Sequence, residues 1–340
     1  MPAMHMNEVH SNPMTPPRPQ SGMTLIELMV ALAIGAFLMI GAMTVFMQSR
    51  TTFRVTESVS RLQETARFAI DALEPEIRMA QYWGLISRSE LVLGRRAPTD
   101  PVAMGQTTCG NNWTINLNQA VQGSNGSAPW PWTCAGTAPI ETNSDTLIVR
   151  RAGDDIVPPP NPAGQLAIVS SRFNGTLFNV AATPAGYDVA GGRAQIHRLM
   201  VSGYYVRRAT AATQPALRRK VLGTNGAITD EEVISGVEDM QVQFGLDMDP
   251  PGGPNRGSVD RYVNPNDPLI DPTNAGYNAN AEILAVRIWL RVRAERVENG
   301  FTDTANYVYA DQNVGPFNDG FRRALVSKTI YLRNNRPPDY

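Results

Sequence analysis

Histidine is nearly missing from this 340-residue chain: three occur, His5, His10 and His197, two of them in the first ten residues. A zinc site built from histidines cannot be assembled from that set. A serine–histidine–aspartate system would have to recruit His197, which sits in the strand-like run His197-Arg198-Leu199-Met200-Val201 with no nucleophile motif beside it. Cysteine is scarce at two, with no Cys-x-x-Cys pair. No Walker A loop and no strand-linked GxGxxG occurs, so nucleotide chemistry has no phosphate cradle. Neither sign of charge is in excess: 30 Lys+Arg against 31 Asp+Glu give a formal charge of −1, and the whole molecule exerts no bulk pull on nucleic acid or an anionic membrane. Charged residues amount to 18%, while 28 Gly and 26 Pro punctuate the chain, which argues against a wholly helical protein. Nothing here supplies a catalytic centre.

What is present begins near the N-terminus. From Met23 to Met47 the chain reads MTLIELMVALAIGAFLMIGAMTVFM, 25 residues with one charge, Glu27. As a helix rising 1.5 Å per residue it is long enough to cross a ~30 Å hydrocarbon core. The preceding stretch is polar and proline-rich. A secretory signal peptide places its small residues after the apolar run, whereas here Ser21 and Gly22 come before it. An acid four residues into the span is costly, by ~2.5–3.5 kcal/mol on insertion scales, and so predicts a partner for Glu27. The flanking charges leave orientation open, because Arg18 on one side is offset by Glu8 and answered by Arg50 and Arg54 on the other. Met1, Met4, Met6 and Met14 are all candidate starts.

The segment Ser21-Gly22-Met23-Thr24-Leu25-Ile26-Glu27-Leu28 resembles the type III signal of type IV pilins and type II secretion pseudopilins. That resemblance implies a prepilin peptidase cutting after Gly22 on the cytoplasmic side and N-methylation of Met23. It also implies that Glu27 pairs with the free amine of a neighbouring subunit, which would set the stagger between subunits. Met at position 23, where Phe is commoner, is the one departure. An ordinary single-span anchor with a stray acid is the competing reading.

Beyond the span Val55, Val59, Leu62, Ala66, Ile70, Leu73 and Ile77 recur every three or four residues, with Arg54, Glu57, Arg61, Glu64, Arg67 and Asp71 on another face. This spacing predicts an amphipathic stem, kinked or ended near Leu73 by Pro75 although the apolar spacing runs on to Ile77. A coiled-coil stalk is the alternative. Strand signals follow. Met240, Val242, Phe244 and Leu246 alternate with Gln241, Gln243, Gly245 and Asp247, and Leu284, Val286, Ile288, Leu290 and Val292 alternate with Ala285, Arg287, Trp289, Arg291 and Arg293. Further runs are 146–150, 165–170, 199–207, 217–222 and 325–333, with loops at 152–164 and 249–278. The expected fold class is α+β: a long N-terminal helix, membrane half plus amphipathic half, packed on a mainly antiparallel sheet head with long loops.

The stem end Ile77-Arg78-Met79-Ala80-Gln81-Tyr82, the stretch from Ile234 to Asp247, Val286-Arg287-Ile288-Trp289-Leu290 and the run from Lys328 to Asn334 resemble the PilW family of minor pilins. The resemblance implies a type IV pilin-like ladle and a non-enzymatic, low-abundance subunit. Such a subunit joins other minor pilins in an initiation complex at the inner membrane, ends at the pilus tip, and serves twitching motility, adhesion or DNA uptake. Implied partners are other minor pilins and the major pilin, the prepilin peptidase and the inner-membrane assembly machinery; nucleic acid is not among them. The implied organisation is a leader at 1–22, a transmembrane or filament-core helix at 23–47, a stem at 48–80 and an extracytoplasmic head at 81–340. A type II secretion pseudopilin is the runner-up, and a pilus-associated DNA-binding or adhesin subunit is the alternative of a different class.

Given export, Cys109 and Cys134 in a turn-rich stretch suggest a disulfide, with two buried thiols as the alternative. Trp113, Trp130 and Trp132, within that loop, read first as core anchors of a small lobe and second as a partner patch. Asp247, Asp249 and Asn255 begin like an oxygen-ligand calcium loop, but Ser258 stands where a glutamate is required, and a solvated turn is the better reading. No cofactor is expected otherwise. Arg287, Arg291 and Arg293 beside Trp289, with Arg218, Arg219 and Lys220 elsewhere, read as outward charges on half-exposed strands rather than a nucleic-acid surface.

Overall fold

The computed structural model describes residues 22–94, 109, 113–126, 132, 139–250, 252–271 and 274–335. Its chain falls into two compact units, Met1–Val55 and Thr56–Tyr340. Helix α1, Leu25–Arg78, contributes to both. In the first unit it carries the apolar span, every described residue of which is exposed within the chain, and by length and composition it suffices to cross a membrane.

In the second unit α1 buries one stripe, Leu62, Ala66, Ala69, Ile70, Leu73 and Ile77, as the spacing predicts, while Val59 is half-buried. The helix passes through Pro75 and ends at Arg78. Pro75 lies on the exposed face, so the Asp71 carbonyl it deprives of a donor is open to water, and the stripe holds the last turn in place. Glu74 takes Arg78 as an i,i+4 partner and also accepts from Lys328 Nζ at 2.5 Å.

The strands are β1 Val92–Leu93, β2 Val121–Ser124, β3 Thr146–Ile156, β4 Ala167–Ser170, β5 Gly175–Phe178, β6 Gln195–Arg207, β7 Ala216–Leu222, β8 Ile228–Ser235, β9 Val237–Asp247, β10 Arg261–Val263, β11 Glu282–Arg293, β12 Tyr307–Tyr309, β13 Gln312–Val314 and β14 Arg323–Tyr331. The larger sheet runs β1-β5-β4-β6-β3-β2, with β7 on β6 and β8 on β7; the second runs β10-β9-β11-β14; β12 and β13 form a hairpin. Among the described pairings only β1 with β5 is parallel. The architecture is the α+β helix-and-sheet arrangement expected from the sequence.

Both faces of the central strands are buried. Leu147, Val149, Tyr204 and Val206 join the stem residues and the second sheet in one core, whereas Ile148, Leu199, Val201 and Tyr205 join Trp83, Trp113 and Trp132 in another. Gly203 makes the second packing feasible, since a Cβ there would stand 2.7 Å from Trp132 Cζ3. The expected loop at 152–164 is partly strand, because β3 continues through an irregularity to Ile156. The one at 249–278 contains β10 and a short 3-10 turn at Pro268–Ile270. Strand β8 escapes the period-two signal because Asp230, Glu231 and Glu232 stand in succession. Across from them Lys220, Arg219 and Arg218 supply the matching charges.

Candidate functional site

Gly22 and Met23 are exposed and precede the helix, and nothing lies within 4 Å of where a Gly22 Cβ would stand. The peptide between them is therefore open. The helix that follows starts with a reciprocal cap. Thr24 Oγ1 accepts from the Glu27 amide at 3.3 Å, and Glu27 Oε2 accepts from the Thr24 amide at 3.4 Å and from the Thr24 hydroxyl at 3.3 Å. In this Thr-x-x-Glu box each side chain satisfies a donor the first turn leaves orphaned. Glu27 thus has a partner within its own chain, in addition to any that a neighbour supplies, and its exposed carboxylate sits beside the first residues of the helix.

Arg291 and Arg293 of β11 do not point to solvent, which corrects their reading as outward charges. Arg291 is 7% exposed and donates to Glu238 Oε2 at 3.2 Å and to the Tyr309 hydroxyl at 2.6 Å. Arg293 pairs with Glu238 at 3.4 Å. Arg323 on β14 binds Glu238 at 2.7 Å, Asp303 at 2.9 Å and Asp319 at 2.7 Å. The segment between β11 and β14, with its β12–β13 hairpin, covers this face: Phe317 lies 3.8 Å below the Arg323 guanidinium and Phe321 4.2 Å from that of Arg293. Burial alone would raise the Glu238 pKa, but the hydrogen bond and charge of Arg323, with Arg291 and Arg293, hold it below the usual carboxylate range. Asp239, by contrast, is raised by burial despite its bond from Tyr309. The basic run on β7 is consumed likewise: Arg218 and Lys220 bind Asp230 at 2.9 Å each, and Arg219 pairs with Glu231. Among the described residues Arg291, Arg293, Arg218, Arg219 and Lys220 are thus committed to carboxylates, whereas Arg287, half-buried, stacks on Tyr262 at 3.6 Å and donates to the Thr329 hydroxyl at 3.1 Å.

Residues 203–334 match the family described as Type IV Pilus-assembly protein W, and residues 17–43 match the prokaryotic N-terminal methylation motif. The chain thus carries a PilW-like region in its head behind an N-terminal methylation motif. A type IV-like pilin from Thermus thermophilus is similar over 84% of this chain and 98% of its own, at 13% identity and a TM-score of 0.34. None of the curated proteins matches. The PilW match takes in β7 to β14 with all of the buried arginine network, and the methylation motif takes in Gly22, Met23, Thr24 and Glu27.

Upstream of the PilW match lies the tryptophan lobe. Cys109 is 2% exposed and packs in the core with Trp113 and Trp132, whose rings lie 5.4 Å apart; Trp132 stands 6.0 Å from Tyr205. These two tryptophans are core anchors. Cys134 and Trp130 lie outside the described residues. The lobe is tied to β3 by Arg150, which the sequence did not single out. Wholly buried, it donates through Nε to the Trp113 carbonyl at 2.8 Å and through Nη2 to Gln122 Oε1 at 2.7 Å, and it also bonds the Gln119 carbonyl. Burial without a facing carboxylate brings its pKa down to about 9. His197 is likewise structural, with Nδ1 at 2.8 Å from the Gly153 carbonyl and Tyr82 against its ring edge.

The acidic loop after β9 differs from its sequence reading. Carboxylate oxygens of Asp247, Asp249 and Asp260 lie within 4.8 Å of one another, so the third acid is Asp260, while Asn255 offers its backbone carbonyl to Ser258. Asp247 and Asp249 do not reveal the cluster as a local motif, because its third member, Asp260, comes from the far end of the loop. Asp247 already accepts from the Asp249 and Gly257 amides at 3.0 and 2.6 Å, and Asp260 from the Met248 amide at 2.7 Å. These carboxylates knit the turn together; a hard cation is the one cofactor they could hold.

Proposed function

We propose that this chain is a PilW-type minor pilin, a non-enzymatic subunit that helps initiate type IV pilus assembly and sits at or near the pilus tip, serving twitching motility, adhesion or DNA uptake. The observation that carries the proposal is the pairing of an N-terminal methylation motif, on an exposed peptide before an unpartnered apolar helix, with a PilW region in the head. On this reading the prepilin peptidase removes residues 1–22 and Met23 becomes the methylated N-terminus. The chain waits in the inner membrane as a single-pass protein with a periplasmic head, then joins other minor pilins and the major pilin at the surface. Glu27 exchanges its cap for a neighbour's terminal amine, since an unpaired charge among apolar helices is expensive. Cys109 and Cys134 close a disulfide that fixes the tryptophan lobe. The test is a deletion strain imaged for surface pili. Loss of pili, restored by the intact gene, supports the role. Normal piliation with failed protein secretion redirects it to a type II secretion pseudopilin.

A further inference from the structure

Strand β14 ends its sheet and pairs with β11 alone among the described strands. The phase of that ladder decides which backbone groups it uses. Leu332 donates to the Leu284 carbonyl at 2.9 Å and Ala294 to the Arg322 carbonyl at 2.8 Å, so the even-numbered residues of β14 bond to β11. Arg323, Leu325, Ser327, Thr329 and Tyr331 therefore turn their N–H and C=O groups the other way, and among the described residues these groups have no hydrogen-bond partner. The open row stops where Arg333 donates to the Arg78 carbonyl at the end of α1. Such an edge is a template for another strand, and proteins ordinarily blunt it with charge. Strand β8, at an edge of the larger sheet, is blunted in this way by Asp230, Glu231 and Glu232. On β14 both cations are already paired, Arg323 with three carboxylates and Lys328 with Glu74, and Ala324 to Ser327 between them carry no charge.

The two faces beside this edge differ. On one, Ala324 and Val326 are half-buried at the margin of the stem core, where an added strand would cover them with apolar side chains. On the other stands Arg287, in register with Thr329. Its guanidinium stacks on Tyr262, whose ring has room because position 245 is glycine: a Cβ there would lie 3.0 Å from Tyr262 Cε1. Nε is held by the Thr329 hydroxyl, while the two terminal nitrogens have no acceptor, and no carboxylate within ion-pair distance, among the described residues. Arg291, Arg293 and Arg323 each have one. A guanidinium fixed in this way presents a planar fork that suits a carboxylate. A residue placed opposite Thr329 on an added strand would stand two strand spacings from Arg287, roughly 10 Å, a gap that an acidic side chain and the arginine's own length close together. We infer that β14 accepts an extended segment of a partner polypeptide as a further strand, its apolar residues on the stem side and an acidic residue on the other face reaching Arg287. A second copy of β14 does not meet the requirement, since Arg323–Tyr331 contains no acid.

The test places benzoylphenylalanine at position 331, where Tyr331 is 63% exposed, irradiates cells carrying the full-length chain, and maps the adducts. Adducts are expected on a segment of another protein in which apolar residues alternate and an acid is present. A synthetic peptide of that segment is then titrated against the full-length chain purified in detergent. Ser327→Pro removes one edge-facing N–H and spares the ladder with β11, so it should melt with wild type while weakening the peptide about tenfold. Arg287→Met keeps most of the stacking volume and should weaken the peptide by a similar factor. The same peptide with its acid changed to the amide should bind wild type that much more weakly and lose nothing further to Arg287→Met. A Ser327→Pro variant that melts well below wild type shows that the N–H was used within the chain and overturns the inference. So do equal peptide affinities across the variants, and adducts confined to acid-free segments, to another copy of this chain, or to no protein at all. The pilin reading is tested separately by the identity of the labelled protein, since a partner from outside the pilus would count against that reading and leave the strand addition standing.

Discussion

Replacing Arg323 by methionine removes the cation on which three carboxylates converge while keeping most of the side-chain volume. The Arg323 side chain is 2% exposed, and that of Asp303, at 3%, has no other cation within ion-pair distance among the described residues. Glu238 retains Arg291 and Arg293, and Asp319, 35% exposed, turns to water. The loss is therefore concentrated on Asp303, whose charge would be left buried with only the Tyr307 hydroxyl and the Ala305 amide. Breaking a buried pair in this way costs about 3–5 kcal/mol. At ~2–4 °C per kcal/mol for a domain of this size, the melting temperature of the detergent-purified chain should fall by about 6–20 °C. Adding Asp303→Asn should recover part of the loss, because it deletes the stranded charge. The pH profile gives an independent check. Glu238 has a depressed pKa, so its contribution is present above the ordinary glutamate range and disappears as pH falls through the lowered folded value. Wild type should therefore lose stability below about pH 4, and the Arg323→Met variant should lose less over that interval, since Glu238 is then less depressed. A loss under about 1 kcal/mol, or an acid limb of unchanged slope, would refute the claim that the strap between β11 and β14 is fastened by buried charge.

Other outcomes are expected of the N-terminus and the lobe. Glu27→Val should be cleaved and membrane-resident at normal abundance, since the change makes the span cheaper to insert, yet should fail to restore pili in a deletion strain; full restoration at matched expression would show the acid to be incidental. Thr24→Ala, which breaks the cap and spares the carboxylate, should cost about 1 kcal/mol of helix stability and leave partner recovery closer to wild type than Glu27→Val does. Mass analysis should find Met23, methylated, as the mature N-terminus, and a bulky residue at position 22 should leave the leader attached. The two cysteines should resist alkylation until reduced, and reduction should lower stability by about 3–4 kcal/mol.

How much of this was legible depended on whether the cause was local. The stem stripe and the long strands announce themselves through periods of 3.6 and 2, and the structure keeps both. Arg291 and Arg293 misled for a definite reason. Their alternation with Leu290 and Val292 says only that they lie on the other face of β11, and whether that face is wet depends on residues 294–322, whose route no period encodes. Asp260 was missed because it reaches Asp247 across a loop. Arg150, at the end of a hydrophobic run, looked like a strand terminus until the carbonyls around it were in place.

The two interiors of the head are separated by a wall one strand thick, and this bears on how such a protein can change. Tyr204 faces the stem side and Tyr205 the tryptophan side, so consecutive positions of β6 answer to different neighbours. Substitutions behind Tyr205 can be absorbed by repacking Trp113 or Trp132 without the stem helix sensing a change of volume, provided the backbone of the wall holds its line. A lineage is then free to remodel the lobe for new surroundings while the helix-bearing half keeps its shape. The constraint concentrates on Gly203, the point where the wall is thinnest and where any side chain would press into the indole of Trp132.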